Sequence, residues 1–170
     1  MNTRFITLAI IIFAVAVFRI LPHPPNVSPI AAMALFGGAY FSDKRLAFLV
    51  PFLALLLSDL ILGLHGTMLY VYGGFALTVV IGFWVRKQLN IGRIAVAAVG
   101  ASILFFMLTN FGVWLTSGMY PMTADGLMQA YIAGIPFLQN SLLGNLIFTA
   151  LLFGGFAALQ RNVPALSENT

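Results

Sequence analysis

The sequence predicts an all-α integral membrane protein, a bundle of six transmembrane helices with its N- and C-termini in the cytoplasm. Of the 170 residues, 61% are hydrophobic and only 7% are charged. A soluble domain carries roughly 25% charged residues because water must wet its surface. The mean hydropathy of +1.03 supports the same class. These values exclude a soluble enzyme and a nucleic-acid-binding domain, and the absence of cysteine excludes disulfides and thiolate chemistry.

The apolar segments predict a single transmembrane domain over residues 1–170. A helix that crosses about 30 Å of hydrocarbon needs roughly 20 apolar residues. The predicted spans are 5–21, 28–41, 46–64, 69–85, 94–116 and 141–159. The second has only 14 residues, so we expect it to be tilted, extended by its flanks or partly re-entrant. Segment 127–138 is apolar but interrupted by Gly134 and Pro136, which favours an interfacial helix or a segment that covers a cavity.

The distribution of basic residues predicts the orientation of the bundle. With a cytoplasmic N-terminus, six spans place seven of the eight Lys and Arg residues in the cytoplasm. These seven are Arg4, Lys44, Arg45, Arg86, Lys87, Arg93 and Arg161. Only Arg19 remains on the outer side. Five or seven spans would scatter the cations over both faces, so the charge pattern favours six.

Polar side chains that do not anchor the cytoplasmic face gather in the outer half of this predicted topology. An ionisable group at the centre of the bilayer costs about 2.5–3.5 kcal/mol, so it faces a partner or water. Asp59 lies near the outer end of the third span and Arg19 near that of the first, so we expect an ion pair. Such a pair either only locks the two helices or also forms the wall of an outward-facing pocket.

Several other side chains are candidates for binding a small molecule. Asn110 and Trp114 are four residues apart on one helix face, and an amide beside an aromatic ring suits a pocket wall. Asn145 either faces a ligand or bonds to a neighbouring helix. The remaining candidates are His23, Asn26, His65 and Tyr120 in the outer loops and Tyr70 at the start of the fourth span. The two histidines lack metal-ligand spacing and no catalytic or phosphate-binding motif occurs, so we expect no metal, no cofactor and no enzyme activity.

Two rows of small residues predict close approach between helices. Gly74, Thr78 and Gly82 form one row on the fourth span, and Ala150, Gly154 and Ala158 form another on the sixth. Small residues at every fourth position let helix backbones come together. We expect both rows to be packing surfaces within the bundle, with docking of another membrane protein as the alternative.

Several motifs along nearly the whole chain resemble those of a bacterial membrane family of unknown function, described as putative transport proteins. They are RILPHPPN at 19–26, SPIAAMALFGGAYF at 28–41, SDLILGLHG at 58–66, YVYG at 70–73, TNFGVW at 109–114, MYP at 119–121, IPFLQN at 135–140 and LGN at 143–145. That family is similar to the substrate-binding S-components of energy-coupling-factor vitamin transporters, which are six-helix proteins of similar size. The resemblance implies a bacterial inner-membrane protein.

The resemblance also implies a mechanism and a set of partners. A vitamin- or metabolite-like molecule would be captured in an outward-facing pocket and released inside when the bundle moves. S-components dock on their energising module through an Ala-xxx-Ala row in the first helix, and Ala9, Ala14 and Ala16 do not reproduce that spacing. The implied partners are a small-molecule substrate, the lipid bilayer and either an ATPase and transmembrane module or a second copy of the chain. No nucleic acid is among them.

The alternative function is a non-transport membrane scaffold or assembly subunit, in which the Asp59–Arg19 pair only holds the fold. The packing of the outer third of the bundle discriminates between the two. A binding protein needs an outer cavity of ligand size, whereas a scaffold needs dense packing there, with Asn110 and Asn145 bonded to neighbours.

Overall fold

The computed structural model describes residues 3–167, and the regular structure in this range is entirely helical. The α-helices are α1 (Thr3–Val17), α2 (Ile30–Tyr40), α3 (Lys44–Leu62), α4 (Met68–Arg86), α5 (Ile91–Thr116) and α6 (Ala124–Asn162). Short 3-10 helices follow α1 at Phe18–Ile20 and α6 at Pro164–Leu166. Five helices are long and apolar enough to cross a membrane: α1 with its 3-10 extension, α3, α4, α5 and α6. The all-helical fold of the described range is confirmed, and these five helices have the length and composition of the spans of a multi-pass membrane protein. The predicted location of the termini concerns residues 1–2 and 168–170, which lie outside the described residues.

α2 is a short helix at the centre of the bundle. Its eleven residues rise about 16 Å, roughly half the thickness of the hydrocarbon core. Every residue from Ala31 to Tyr40 is buried, and α2 contacts all five other α-helices. A helix that is apolar on all sides is buried on all sides. The segment predicted as span 28–41 is therefore a core helix of residues 30–40, too short to span the bilayer by itself.

The crossing of α2 and α4 is close enough to require glycine on both helices. A Cβ atom added to Gly82 would lie 2.7 Å from the Cα of Gly38 and 2.6 Å from the carbonyl oxygen of Leu35. One turn earlier, Thr78 is fully buried and its hydroxyl donates to the Gly74 carbonyl at 2.8 Å. The first row of small residues is therefore a packing surface, as its spacing predicts.

α6 departs most from the predicted elements. It runs without interruption for 39 residues, about 58 Å at 1.5 Å per residue, and joins the predicted interfacial helix 127–138 to the predicted span 141–159. The expected interruption is wrong: the helix continues through Gly134 and Pro136 and packs against α5. At Gly134 the helix lies so close to α5 that an added Cβ would come within 2.8 Å of the Phe106 ring.

The second row of small residues is not packed within the described part of the chain. Ala150, Gly154 and Ala158 are exposed, and a Cβ atom added to Gly154 would meet no atom within 4 Å. An open groove separates this part of α6 from the start of α5. The prediction that this row packs inside the bundle is therefore wrong.

Basic residues collect at one end of the bundle, which we call the basic end. Arg4 donates to the Tyr40 carbonyl at 3.2 Å, and Arg86 donates to the Gly38 carbonyl at 2.6 Å, so both guanidinium groups cap the end of α2. The last carbonyls of a helix have no intrahelical partner and need such donors. The other basic residues of this end are Lys44, Arg45, Lys87, Arg93 and Arg161. Arg19, at the far end of α1, lies at the opposite end.

Candidate functional site

A cavity of about 410 Å³ lies at the end of the bundle opposite the basic end. Cavities of about 300–1,000 Å³ are typical of small-molecule sites. The rings of Phe105 and Phe106 on α5 and Phe137 on α6 supply apolar surface. The cavity also brings together five of the side chains proposed from the sequence, namely Arg19, Asn26, His65, Asn110 and Tyr120. We call it the outer cavity.

Arg19 lines this cavity and forms the expected ion pair with Asp59, which does not itself line the cavity. Arg19 is 9% exposed and Asp59 1%, and the Nη2–Oδ1 distance is 2.7 Å. The second carboxylate oxygen accepts from the Tyr72 hydroxyl at 2.9 Å. Arg19 also donates to the Ser58 hydroxyl and to the Leu55 carbonyl, the latter at 3.3 Å. The guanidinium therefore reaches the cavity with its charge neutralised and several of its N–H groups already bonded.

The loop between α1 and α2 carries Asn26 to the cavity. Prolines at positions 22, 24 and 25 prevent the chain from continuing as a helix. Asn26 adopts a φ of 62°, a left-handed conformation that asparagine tolerates better than most residues. Asn140 of α6 donates to the Pro25 carbonyl at 3.0 Å, which ties the loop to the bundle. His23 does not line the cavity, because its Nδ1 lies 2.6 Å from the carbonyl of Leu21 in its own loop.

Asn110 presents an unused hydrogen-bond acceptor in the cavity wall. Its Nδ2 donates to the carbonyl of Phe106, one turn earlier in α5, at 2.9 Å. Its Oδ1 accepts no hydrogen bond from any residue within 3–167 and lies where α5 meets Gly134 of α6. A ligand that donates a hydrogen bond can therefore use this oxygen.

His65 and Thr67 line the cavity from the loop between α3 and α4. The His65 Nδ1 and the Thr67 hydroxyl oxygen are 2.9 Å apart, so each side chain orients the other. Gly63, with a φ of 102°, ends α3 in a conformation that favours glycine, and the chain then turns into this loop. Both side chains lie in a loop, where a histidine keeps its second ring nitrogen available to a ligand.

Two of the proposed residues have structural partners instead of cavity contacts. Asn145 is 1% exposed and its Nδ2 donates to the Ala98 carbonyl at 2.8 Å and the Ser102 hydroxyl at 2.9 Å. It therefore joins α6 to α5, which is the structural alternative left open by the sequence. Trp114 donates from Nε1 to the Pro121 carbonyl at 2.9 Å and so anchors the loop that leads to α6.

Tyr70 also lies outside the cavity. Its ring packs against Phe111 with the ring centroids 6.1 Å apart, and it covers Gly112, where an added Cβ would collide with it. Tyr70 therefore joins α4 to α5. The next residue in the chain, Val71, lines the cavity instead, because successive side chains of a helix point about 100° apart.

Some cavity residues were not proposed from the sequence. They are Thr67, Thr109, Phe105 and Phe137. The hydroxyl of Thr109 donates a hydrogen bond to the Phe105 carbonyl at 2.8 Å. Thr109 precedes Asn110 in the TNFGVW motif, which is a signal that could have identified it. Phe105 and Phe137 could not be singled out from the sequence, because the chain has 16 phenylalanines.

The fold and the cavity define a class, a multi-pass α-helical membrane protein with a polar and aromatic cavity at one end. Within residues 3–167, no three His, Asp or Glu side chains come together as a metal site requires. The chain belongs to a family of unknown function, DUF6580, whose family model matches residues 1–166. No curated protein and no solved structure matches the chain. Membership of a family of unknown function is as expected, and these comparisons carry no link to S-components.

Proposed function

We propose that this protein takes up a small molecule, binding it in the outer cavity on the outside of a bacterial inner membrane. The observation that carries the proposal is the cavity of about 410 Å³ in which Arg19, Asn26, His65, Asn110 and Tyr120 meet. Lys and Arg residues concentrate on the cytoplasmic side of membrane proteins. The cavity lies at the end opposite the basic end, so this rule supports an outward-facing site.

The chemistry of the cavity supports a vitamin- or metabolite-like substrate with a ring and hydrogen-bonding groups. Phenylalanine rings offer stacking surface, and the amides of Asn26 and Asn110 and the hydroxyl of Tyr120 offer directional bonds. The permanent charge of Arg19 is balanced by Asp59. An apolar wall with a few oriented polar groups is the usual composition of a small-molecule site.

Release into the cytoplasm would require a movement of the bundle, as in an S-component. We propose an energising ATPase and transmembrane module, or a second copy of the chain, as the partner in this step. The resemblance of the motifs supports the module. The spacing of Ala9, Ala14 and Ala16 in α1 departs from the usual docking row, and it favours the alternative of an S-component-like transporter that works without an energising module.

The scaffold alternative is supported by Asn145 and Trp114, whose polar groups are used within the fold. It does not account for the outer cavity or for the free Oδ1 of Asn110. A purely structural subunit gains stability by filling such a space, since packing contacts are lost around every void. We therefore rank binding above scaffolding.

The test is native mass spectrometry on protein extracted gently from its own membrane. The variant is Asn110→Ala and the matched control is Asn162→Ala. Each asparagine donates to the carbonyl one turn earlier in its own helix, at 2.9 Å for Asn110 and 3.0 Å for Asn162, but only Asn110 lines the cavity. The two substitutions therefore remove the same local bond.

We expect a reproducible non-lipid adduct on the unmodified chain and on Asn162→Ala, and its loss from Asn110→Ala. An adduct that survives equally in both variants would exclude the outer cavity as its site. Lipid alone, together with a persistent larger membrane partner, would establish the scaffold function instead.

A further inference from the structure

A second cavity, at the basic end, is unrelated to the outer cavity. It is a groove of about 910 Å³ between the start of α5 and the last part of α6. One wall is the exposed row Ala150, Gly154 and Ala158, and Ile91 and Ile94 form part of the other. We call it the basal groove. Its walls are mainly apolar, with the polar side chains of Tyr40, Asn90, Thr149, Gln160 and Arg161 among them, so a molecule with a hydrocarbon part would suit it.

The length of the basal groove matches one leaflet of the bilayer. It follows α6 from Leu146 to Arg161, about 22 Å at 1.5 Å per residue, and one leaflet with its head groups is about 20–22 Å thick. Above Leu146 the groove is closed by Asn145, which bonds α6 to Ala98 and Ser102 of α5. A transmembrane partner helix would need an open face across about 30 Å. The groove therefore suits an acyl chain.

The mouth of the groove is suited to a negatively charged head group. Arg161 lies there in the last turn of α6 and forms no hydrogen bond or ion pair with any residue in the described range. Asn90 at the mouth uses its Oδ1 to cap α5, accepting from the Arg93 amide at 2.8 Å, so its Nδ2 is free to donate. Of the described carboxylates, only Asp43 lies at the basic end, where it caps α3.

The floor of the groove contains a further unused donor. Tyr40 is 5% exposed, lines the groove beside Phe153, and its hydroxyl has no hydrogen-bond partner among residues 3–167. The two ring centroids are 5.4 Å apart, so the ring is held in place. A hydroxyl without a partner is available to donate to an ester or phosphate oxygen.

We propose that the basal groove binds an anionic phospholipid, with an acyl chain between α5 and α6 and the phosphate at Arg161. The exposed small residues on α6 then leave room for the chain, which explains why this row has no packing partner. The cation at the mouth selects the head group, because a basic side chain near the membrane surface attracts anionic lipid.

The charge is tested in nanodiscs containing equal amounts of phosphatidylglycerol and phosphatidylcholine with identical acyl chains. Lipid retained by the full chain is counted by native mass spectrometry. Arg161→Gln should lower the preference for phosphatidylglycerol about fivefold, the effect expected of one cation near the surface. Arg45→Gln is the matched control, because Arg45 is an exposed basic-end residue outside the groove.

The groove itself is tested by filling it. Gly154→Leu places a side chain in the groove, and Gly155→Leu places the same side chain next to it on α6. An added Cβ meets no atom within 4 Å at either position, so both variants should fold. We expect Gly154→Leu to lose the retained phosphatidylglycerol and Gly155→Leu to keep it.

Three outcomes would overturn the proposal. They are equal retention of the two lipids by the unmodified chain, equal effects of Arg161→Gln and Arg45→Gln, and equal effects of the two leucine substitutions. Loss of a dimer from Gly154→Leu, in place of loss of lipid, would assign the groove to a second copy of the chain.

Discussion

Replacing Asp59 with leucine removes one partner of the buried ion pair and leaves the other in place. Arg19 would keep the Ser58 hydroxyl and the Leu55 carbonyl but lose its carboxylate, and Tyr72 would lose its acceptor. Breaking a buried pair in this way costs about 3–5 kcal/mol. Arg19 lines the outer cavity, where water reaches it, so we expect a loss of about 3 kcal/mol in the free energy of unfolding.

The double variant Arg19→Met with Asp59→Leu separates the charge effect from packing. No uncompensated charge remains in it, and replacing a buried pair by apolar residues is often neutral. The Tyr72 hydroxyl still lacks its acceptor, which costs about 1–2 kcal/mol. The double variant should therefore be more stable than Asp59→Leu alone, although it carries one more substitution.

The free energy of unfolding is measured by SDS titration in mixed micelles, with helix content as the signal. Asp125→Asn is the control, since this exposed carboxylate in the first turn of α6 contributes at most about 1 kcal/mol through the helix dipole. The reasoning fails if Asp59→Leu costs no more than Asp125→Asn. It also fails if the losses of Asp59→Leu and Arg19→Met simply add in the double variant.

Three further predictions concern packing, capping and orientation. Gly82→Ala should lower the free energy of unfolding by about 1–3 kcal/mol, because the added methyl group overpacks the contact with α2. Gly100→Ala should raise it by about 0.5 kcal/mol in the same titration, because an added Cβ there meets nothing within 4 Å. Arg86→Met should lower the free energy of unfolding by about 2–3 kcal/mol, because carbonyls at the end of α2 lose their hydrogen-bond donor. Lys87 is the exposed next residue, and Lys87→Met should change the free energy of unfolding by no more than about 0.5 kcal/mol. Because the chain contains no cysteine, a membrane-impermeant maleimide should label Ser117→Cys in intact cells and Lys87→Cys only after lysis; the reverse pattern would contradict the predicted orientation.

The fold class and the ion pair could be read from the sequence because each depends on quantities that the bilayer constrains directly. The thickness of the hydrocarbon layer sets the length of a spanning helix, and the cost of an unpaired charge in that layer favours an ion pair between Asp59 and Arg19. The same reasoning identified five residues of the outer cavity, since polar groups near one membrane face avoid hydrocarbon and face a polar partner or water. It also placed Asn145 among the candidates, although this residue joins α5 and α6.

The sequence by itself determined that the chain is a multi-pass helical membrane protein and which polar side chains lie at each end. Only the tertiary structure decided that α2 is the centre of the bundle, that α6 continues through Pro136, and that Gly82 is packed whereas Gly154 is open. Hydropathy and charge are properties of each segment alone, so they can be read directly from the sequence. Which helix faces meet depends on contacts between residues far apart in the chain. Two rows of small residues that look alike in sequence can therefore differ, one packed against another helix and the other exposed.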